Sequence, residues 1–183
     1  GYRHLAQWAE TFPTTRLVYV ADRESDTLEL LVLARDLDYP VDYVLRSCHN
    51  RALLEGGKLW EKVSQDESLG RIRFTLPSRQ GQKAREVIQT LHAQRVKLSD
   101  GAGGYVQVTC LIAKEQNAPA GVKPIEWRLL TNRLVTSLEE GIELIEWYRA
   151  RWEIELFFHV LKNGCTVETL QLSTVKRRLT MSL

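Results

Sequence analysis

The chain has 183 residues, 44% hydrophobic and 26% charged, and its 25 basic and 23 acidic side chains leave a net charge of +2. These values are ordinary for a globular protein, and any basic surface must come from local clustering. Cys48, Cys110 and Cys165 are odd in number and widely spaced, which argues against a disulfide framework or a structural zinc site. No signal peptide and no membrane-length apolar run occurs. We therefore expect a reducing, intracellular setting.

The first 55 residues predict the start of an α/β fold. Residues 2–11 favour a short helix, and Leu17–Ala21 is an apolar run of β-formers typical of a buried strand. Helical apolar spacing follows over Thr27–Leu37, and Tyr43–Arg46 predicts a second strand. Strand, helix and strand in this order indicate a βαβ unit with a parallel strand pair.

From residue 56 the pattern changes to β-segments separated by Gly, Pro, Ser and Asp. The segments predicted as β are Lys58–Val63, Arg71–Leu76, Arg85–Leu98, Tyr105–Ala113 and Ile125–Leu130. Residues 84–94 are also compatible with a helix. The sequence thus predicts a mainly antiparallel β region over 56–132, inserted into the α/β domain.

After residue 132 the helical pattern returns. Thr136-x2-Glu139 and Ser137-x2-Glu140 both fit a capping box, and Gly164 fits a C-terminal cap, so we expect a helix over 138–163. The chain begins without Met in a predicted helix and stops abruptly at Leu183. We expect it to be a fragment of a longer protein.

Asp22 is the first candidate site residue. It directly follows the predicted strand Leu17–Ala21, and functional groups of α/β sheets gather at the carboxyl ends of strands. The alternative is a capping role at the start of the next helix. Asp26, just before Thr27, is the better candidate for that cap, which leaves Asp22 for chemistry.

Four residues of the last predicted helix form the second candidate site. Tyr148, Arg151, Glu155 and Lys162 have the spacing Tyr-x2-Arg-x3-Glu-x6-Lys, which puts them within a stripe about 60° wide on an α-helix. One carboxylate between two cations and a phenol suits a surface that binds a metal ion and a phosphate chain. The alternative is a solvent-exposed face with salt bridges, the commonest fate of such charges.

This spacing resembles the signature of a bacterial insertion-sequence family of cut-and-paste DDE transposases. Three further segments are similar to that family in the right order: Val20-Ala-Asp-Arg-Glu-Ser-Asp26, Tyr43-Val-Leu-Arg-Ser-Cys-His49 and Pro124-Ile-Glu-Trp-Arg-Leu-Leu-Thr131. Together these matches cover the chain almost from end to end.

The resemblance implies a partial RNase H-like α/β fold with an inserted, mainly antiparallel β subdomain. Residues 1–55 would be the first part of the core, 56–132 the insertion, and 133–183 the segment with the catalytic helix. It also implies an active site of two Asp and one Glu that binds Mg²⁺ or Mn²⁺. In this chain Asp22 would be the second Asp and Glu155 the Glu, both metal ligands and both catalytic.

The resemblance further implies double-stranded DNA at transposon ends as the substrate and a homodimer in a synaptic complex, in the bacterial cytoplasm at the nucleoid. Tyr148, Arg151 and Lys162 would hold DNA phosphates, and Arg46 would contact a phosphate from the second strand. Trp127 would stack on a base flipped out of the transposon end. The alternative for Trp127 is a core or cross-strand aromatic.

The chain departs from the family at the first Asp. Glu10, in a predicted helix, is the only acidic residue before Asp22. We therefore expect the 183-residue chain alone to be inactive in strand transfer. Two alternatives stay open, namely another RNase H-like nuclease such as a resolvase, and a non-catalytic DNA-binding or oligomerising remnant.

Overall fold

The computed structural model describes residues 1–76 and 84–164, with side chains described as far as residue 151. Contacts divide the chain into two units, Gly1–Tyr148 and Arg149–Leu183. The sheet, the cores and the cleft described below belong to the first unit.

The described residues form four helices and six strands. The helices are α1 (Tyr2–Thr11), α2 (Leu28–Asp36), α3 (Leu59–Gln65) and α4 (Leu138–Gly164). The strands are β1 (Val18–Ala21), β2 (Asp42–Arg46), β3 (Ser68–Leu76), β4 (Arg85–Ser99), β5 (Tyr105–Gln116) and β6 (Glu126–Thr131). A 3₁₀ turn at Arg23–Ser25 follows β1.

All six strands join one sheet in the order β1-β2-β6-β5-β4-β3. β1 and β2 are parallel, which confirms the predicted βαβ unit, and their register pairs Ala21 with Leu45. β6 pairs antiparallel with β2 on one side and with β5 on the other. The antiparallel strands therefore continue the sheet that the parallel pair begins, instead of forming a second one.

A hydrophobic core lies on each face of the sheet because successive side chains of a strand point to opposite faces. One core contains Tyr43 and Leu45 of β2 with residues of α1, α2 and α3. The other contains Val44 of β2, with Leu144 and Tyr148 of α4.

Helix α4 begins with the capping box predicted at Ser137 and Glu140. Ser137 Oγ accepts a hydrogen bond from the Glu140 backbone N–H, and Glu140 Oε2 accepts one from the Ser137 N–H. The helix continues through Gly141 to Gly164. A Cβ atom on Gly141 would lie 3.2 Å from side-chain carbons of Leu91 and Leu111, so this glycine lets the helix approach the sheet closely.

Two predictions about the middle of the chain have different outcomes. The strand predicted at Lys58–Val63 is wrong, since this segment lies in helix α3. Leu59 and Val63 are four residues apart and both are fully buried, which is helical spacing rather than the alternation of a strand. The helix considered for 84–94 is absent, because residues 85–94 belong to strand β4, which pairs with both β3 and β5.

No helix in the described part of the chain combines the length and the apolar character needed to cross a bilayer.

Candidate active site

Asp22 lies at the C-terminal end of β1, where the strand leaves the sheet. Its carboxylate is half-buried, and Oδ1 accepts a hydrogen bond of 2.9 Å from the backbone N–H of Arg23. Asp22 therefore caps the 3₁₀ turn at Arg23–Ser25 rather than helix α2. A backbone bond of this kind fixes the carboxylate at the edge of the sheet.

The cap of α2 differs from the one expected. Thr27 caps the helix, with Oγ1 accepting a bond from the Leu30 backbone N–H, so the prediction that Asp26 is the cap is wrong. Asp26 is instead completely buried and forms an ion pair with Arg51. A carboxylate can accept hydrogen bonds from several directions. The Asp26 oxygens are used by tertiary contacts instead of by a cap contact to helix α2.

Tyr148 connects Asp22 to Arg46. The Tyr148 hydroxyl donates to Asp22 Oδ1 at 3.4 Å and accepts from Arg46 Nη1 at 3.1 Å. The tyrosine is fully buried, with an exposed fraction of 0%, and packs in the core between α4 and the sheet, called here the α4-side core. The Arg46 guanidinium carbon lies 6.0 Å from the centre of the Tyr148 ring. Three residues from separate segments of the sequence, all predicted to be site residues, are thus brought together at one end of the sheet.

A cleft of about 530 Å³ lies beside this group, at the ends of β2 and β6. Its lining includes four basic side chains, from Arg23, Arg46, Lys123 and Arg128, and one acidic side chain, from Glu126. The nearly neutral chain thus concentrates positive charge in this cleft, where a phosphate backbone would be attracted.

Two tryptophans line the cleft, one from each face of the sheet. Trp127 packs against the α4-side core and stacks on Phe74, with ring centres 5.6 Å apart and planes 14° apart. Trp60, in α3, lies beneath the Arg128 guanidinium at 3.9 Å and donates its indole N–H to Ser47 Oγ. The cleft therefore wraps around the end of β6.

No sequence pattern indicated Trp60 or Arg128 as a site residue. Arg128 directly follows Trp127, so strand alternation puts it on the opposite face, away from the residues that the family resemblance selects. Trp60 was predicted to lie in a strand. A tryptophan with helical apolar neighbours at Leu59 and Val63 was the available indication of its true position.

The remaining predicted residues lie in the second unit. Arg151, Glu155 and Lys162 all lie on the continuous helix α4, as their spacing predicts. The side chains of Glu155 and Lys162 are outside the described residues. Their contacts, and the distance between the Asp22 and Glu155 carboxylates, therefore stay predictions.

One group of potential metal ligands occurs among the described side chains. Ligand atoms of Asp26, Cys48 and His49 lie within 4.8 Å of one another. Asp26 Oδ2 already accepts hydrogen bonds from the backbone N–H groups of Cys48 and His49. The other oxygen, Oδ1, forms the ion pair with Arg51. Burial, followed by the Asp26 charge, raises the pKa of the Cys48 thiol, which disfavours the thiolate that a metal requires.

The strand-end carboxylate of Asp22 thus lies beside a basic, tryptophan-lined cleft, whose charges and aromatic rings suit the phosphates and bases of a nucleic acid. Comparison with known protein families gives the same class, because the Transposase DDE domain family matches residues 3–181. The chain belongs to the DDE transposase family.

Proposed function

We propose that the chain is the catalytic-core segment of a bacterial cut-and-paste insertion-sequence transposase with a partial RNase H-like fold. The observation that supports this most strongly is the contact of Tyr148, the first residue of the Tyr-x2-Arg-x3-Glu-x6-Lys spacing, with both Asp22 and Arg46. This contact joins the end of strand β1, whose sequence resembles the family segment with the second Asp, to helix α4, which carries the family's spacing. The reaction would be hydrolysis of phosphodiester bonds at transposon ends, followed by strand transfer.

The donor chemistry of Asp22 fits Mg²⁺ or Mn²⁺, since both are hard cations that favour carboxylate oxygens. Asp22 and Glu155 would hold the ion. When bound, such an ion helps to activate a water or 3′-hydroxyl nucleophile and to stabilise the leaving oxygen at phosphorus. The backbone N–H of Arg23 and the Tyr148 hydroxyl both bond to Asp22 Oδ1, which would fix the carboxylate orientation before an ion arrives.

Arg46 would bind a DNA phosphate next to the reacting bond. Its guanidinium is half-buried and held by the Tyr148 hydroxyl, so little side-chain freedom would be lost on binding. Arg151 and Lys162 would hold further phosphates. Tyr148 is buried, so its contribution to DNA binding would pass through Arg46 and Asp22.

Trp127 would stack on an unpaired base in the cleft. Phe74 stacks on its ring and supports its orientation, and the half-buried tryptophan still contributes to the cleft lining. Stacking on an aromatic ring is worth about 1–3 kcal/mol per base and requires no sequence code.

The 183-residue chain holds Asp22 and Glu155 but no third acid in the position of the family's first Asp. We propose that it is inactive alone, and that the reaction takes place in a homodimeric synaptic complex of the full-length transposase on double-stranded transposon ends, in the bacterial nucleoid. A non-catalytic DNA-binding or oligomerising remnant, or another RNase H-like nuclease, is the alternative.

DNA binding tests the proposed substrate. Fluorescence anisotropy with a labelled duplex that carries a single-stranded overhang should show binding by the wild-type chain. Trp127→Ala and Arg46→Ala should each weaken it by roughly fivefold or more, because each removes one stacking or phosphate contact. Arg3→Ala is the control, since Arg3 is exposed on α1 and removes the same charge away from the cleft. Equal affinity of all four proteins would refute the proposed interface.

Metal binding and nicking test the proposed chemistry. Electron paramagnetic resonance should detect weak Mn²⁺ binding that is lost in Asp22→Asn and retained in Asp38→Asn, a control in an exposed turn. The chain alone should not nick supercoiled plasmid DNA with Mg²⁺ or Mn²⁺. Robust nicking that depends on Asp22 would contradict the proposed inactivity, and Mn²⁺ binding unchanged in Asp22→Asn would contradict its role as a ligand.

A further inference from the structure

Asp26 is a completely buried carboxylate that the proposed chemistry does not use. Its Oδ2 accepts hydrogen bonds from the backbone N–H groups of Cys48, at 2.6 Å, and His49, at 3.0 Å. Its Oδ1 lies 2.6 Å from Arg51 Nη1, and Arg51 Nη2 donates to the Asp26 backbone carbonyl at 2.8 Å. The ion pair and hydrogen bonds together compensate the buried charge.

These contacts join two chain segments at the same edge of the sheet. One segment, 22–26, leaves β1 and carries Asp22; the other, 47–51, leaves β2 directly after Arg46. The two strands are parallel and paired, so both segments leave the sheet side by side. Residues 47–51 belong to no helix or ladder strand, and Asp26 supplies the acceptor that two of their backbone N–H groups need.

We propose that Asp26 and Arg51 form a clamp that positions Asp22 relative to Arg46, so that the metal-binding acid and the phosphate-binding cation face the same DNA strand. This inference rests on the function proposed above. Asp26 and Arg51 are positioning residues, because their contacts are to the protein and the effect passes through the two segments they join.

The same clamp also orders the cleft wall. The Cys48 thiol, next to the Asp26 bond, donates to the Arg23 backbone carbonyl at 3.4 Å, and both residues line the cleft. Hydrogen bonds therefore join the loops after β1 and β2 at two places, once through the Asp26 carboxylate and once through the Cys48 thiol. Loosening the first link would free Arg23 as well as Arg46.

The chain provides a matched control at Asp100. Asp100 accepts the backbone N–H groups of Ala102 and Gly104 at 2.9 and 2.8 Å, and its other oxygen pairs with Arg35 at 2.8 Å. It thus has the same bonding pattern as Asp26, in the turn between β4 and β5. It does not line the cleft.

The experiment compares Asp26→Asn, Asp100→Asn, Arg51→Ala and Arg51→Lys with the wild-type chain, well below the unfolding temperature of each. Amide hydrogen exchange reports the clamp itself, and anisotropy with the overhang duplex reports its consequence for DNA. We expect Asp26→Asn to accelerate exchange in both 22–26 and 47–51 and to weaken DNA binding by about five- to tenfold. Asp100→Asn should lower the unfolding temperature but leave both readouts at wild-type values.

The two Arg51 variants keep the test valid if Asp26→Asn does not fold. Arg51→Lys retains the charge opposite Asp26, so it should recover part of the DNA affinity and exchange protection that Arg51→Ala loses. Wild-type exchange in both segments of Asp26→Asn and Arg51→Ala would overturn the clamp. Equal loss of affinity in Asp100→Asn would also overturn it, because general destabilisation would then explain the effect. If the wild-type chain does not bind the duplex, the proposed function fails instead, and the exchange data still decide whether the clamp exists.

Discussion

The Tyr148 hydroxyl lies 3.4 Å from Oδ1 of Asp22, although the two residues are 126 positions apart in the sequence. The same hydroxyl accepts a hydrogen bond from Arg46, which completes a chain of acid, phenol and cation at the end of the parallel strand pair. Because the tyrosine ring is fully buried, the protein core determines where its hydroxyl lies. One phenol oxygen thus links the Asp22 carboxylate to the Arg46 guanidinium.

Removing that oxygen should weaken DNA binding as well as the fold. In Tyr148→Phe the ring and its packing are kept, so the unfolding free energy should fall by only about 1 kcal/mol. Arg46 would lose its acceptor, and affinity for the overhang duplex should fall about two- to fivefold. Anisotropy and thermal unfolding measure the two effects. Tyr2→Phe removes another buried hydroxyl, bonded to the Val41 carbonyl, and should alter stability alone; an equal loss of affinity in both variants would contradict the prediction.

The charge of the cleft should appear in the salt dependence of binding. Arg46→Ala and Arg128→Ala should each reduce the slope of log affinity against log salt by about 1, as expected for one lost phosphate contact. Anisotropy titrations between low and moderate NaCl concentrations give these slopes. Arg3→Ala should keep the wild-type slope. An unchanged slope in Arg128→Ala would mean that its pairing with Glu126 and Trp60 is purely structural.

The two described cysteines should differ in reactivity. Burial raises the pKa of the Cys110 thiol to about 12, whereas Cys48 is half-buried and its pKa is raised by burial and then by the charge of Asp26. In a Cys165→Ser background, iodoacetamide should modify Cys48 slowly near pH 8 and faster as the pH rises above 9, and should modify Cys110 only after unfolding. Mass spectrometry of peptides over time checks this. Labelling of native Cys110 as fast as Cys48 would contradict the burial.

Acid should weaken the fold through Glu115. Its hydrogen bond and ion pair with Arg85, together with a hydrogen bond from the Ile125 backbone N–H, hold the pKa of this carboxyl below its ordinary 4.5. A depressed folded-state pKa adds stability that is fully present above 4.5 and is lost as the pH falls through the folded value.

Glu115→Gln should therefore be less stable than the wild-type chain at pH 6, and the difference should shrink as the pH falls below about 4.5. Urea unfolding at a series of pH values measures it. Glu86→Gln breaks an exposed ion pair with Arg73, with side chains 54% and 68% exposed, and should change stability little at any pH. A pH-independent difference for Glu115→Gln would contradict the prediction, because the contribution of Glu115 to stability would then not come from its ionised form.

Local patterns were sufficient to predict most elements of this fold. The apolar run ending at Ala21, the alternation of β5 and the capping box at Ser137 and Glu140 each depend on neighbours within a few residues. Such patterns are readable because strand and helix periods and cap geometry are set by the backbone itself. Helix α3 was missed because seven residues contain too few turns to show a clear period.

The sequence by itself determined the elements, the placement of Asp22 at a strand end and the placement of the four-residue spacing on one helix. Only the tertiary structure decided that β6 pairs with β2, that Arg128 and Trp60 join Trp127 around one cleft, and that Asp26 is buried against Arg51 instead of capping α2. These contacts join residues far apart in the chain. Their energies depend on burial and on competing partners, which no local sequence pattern encodes.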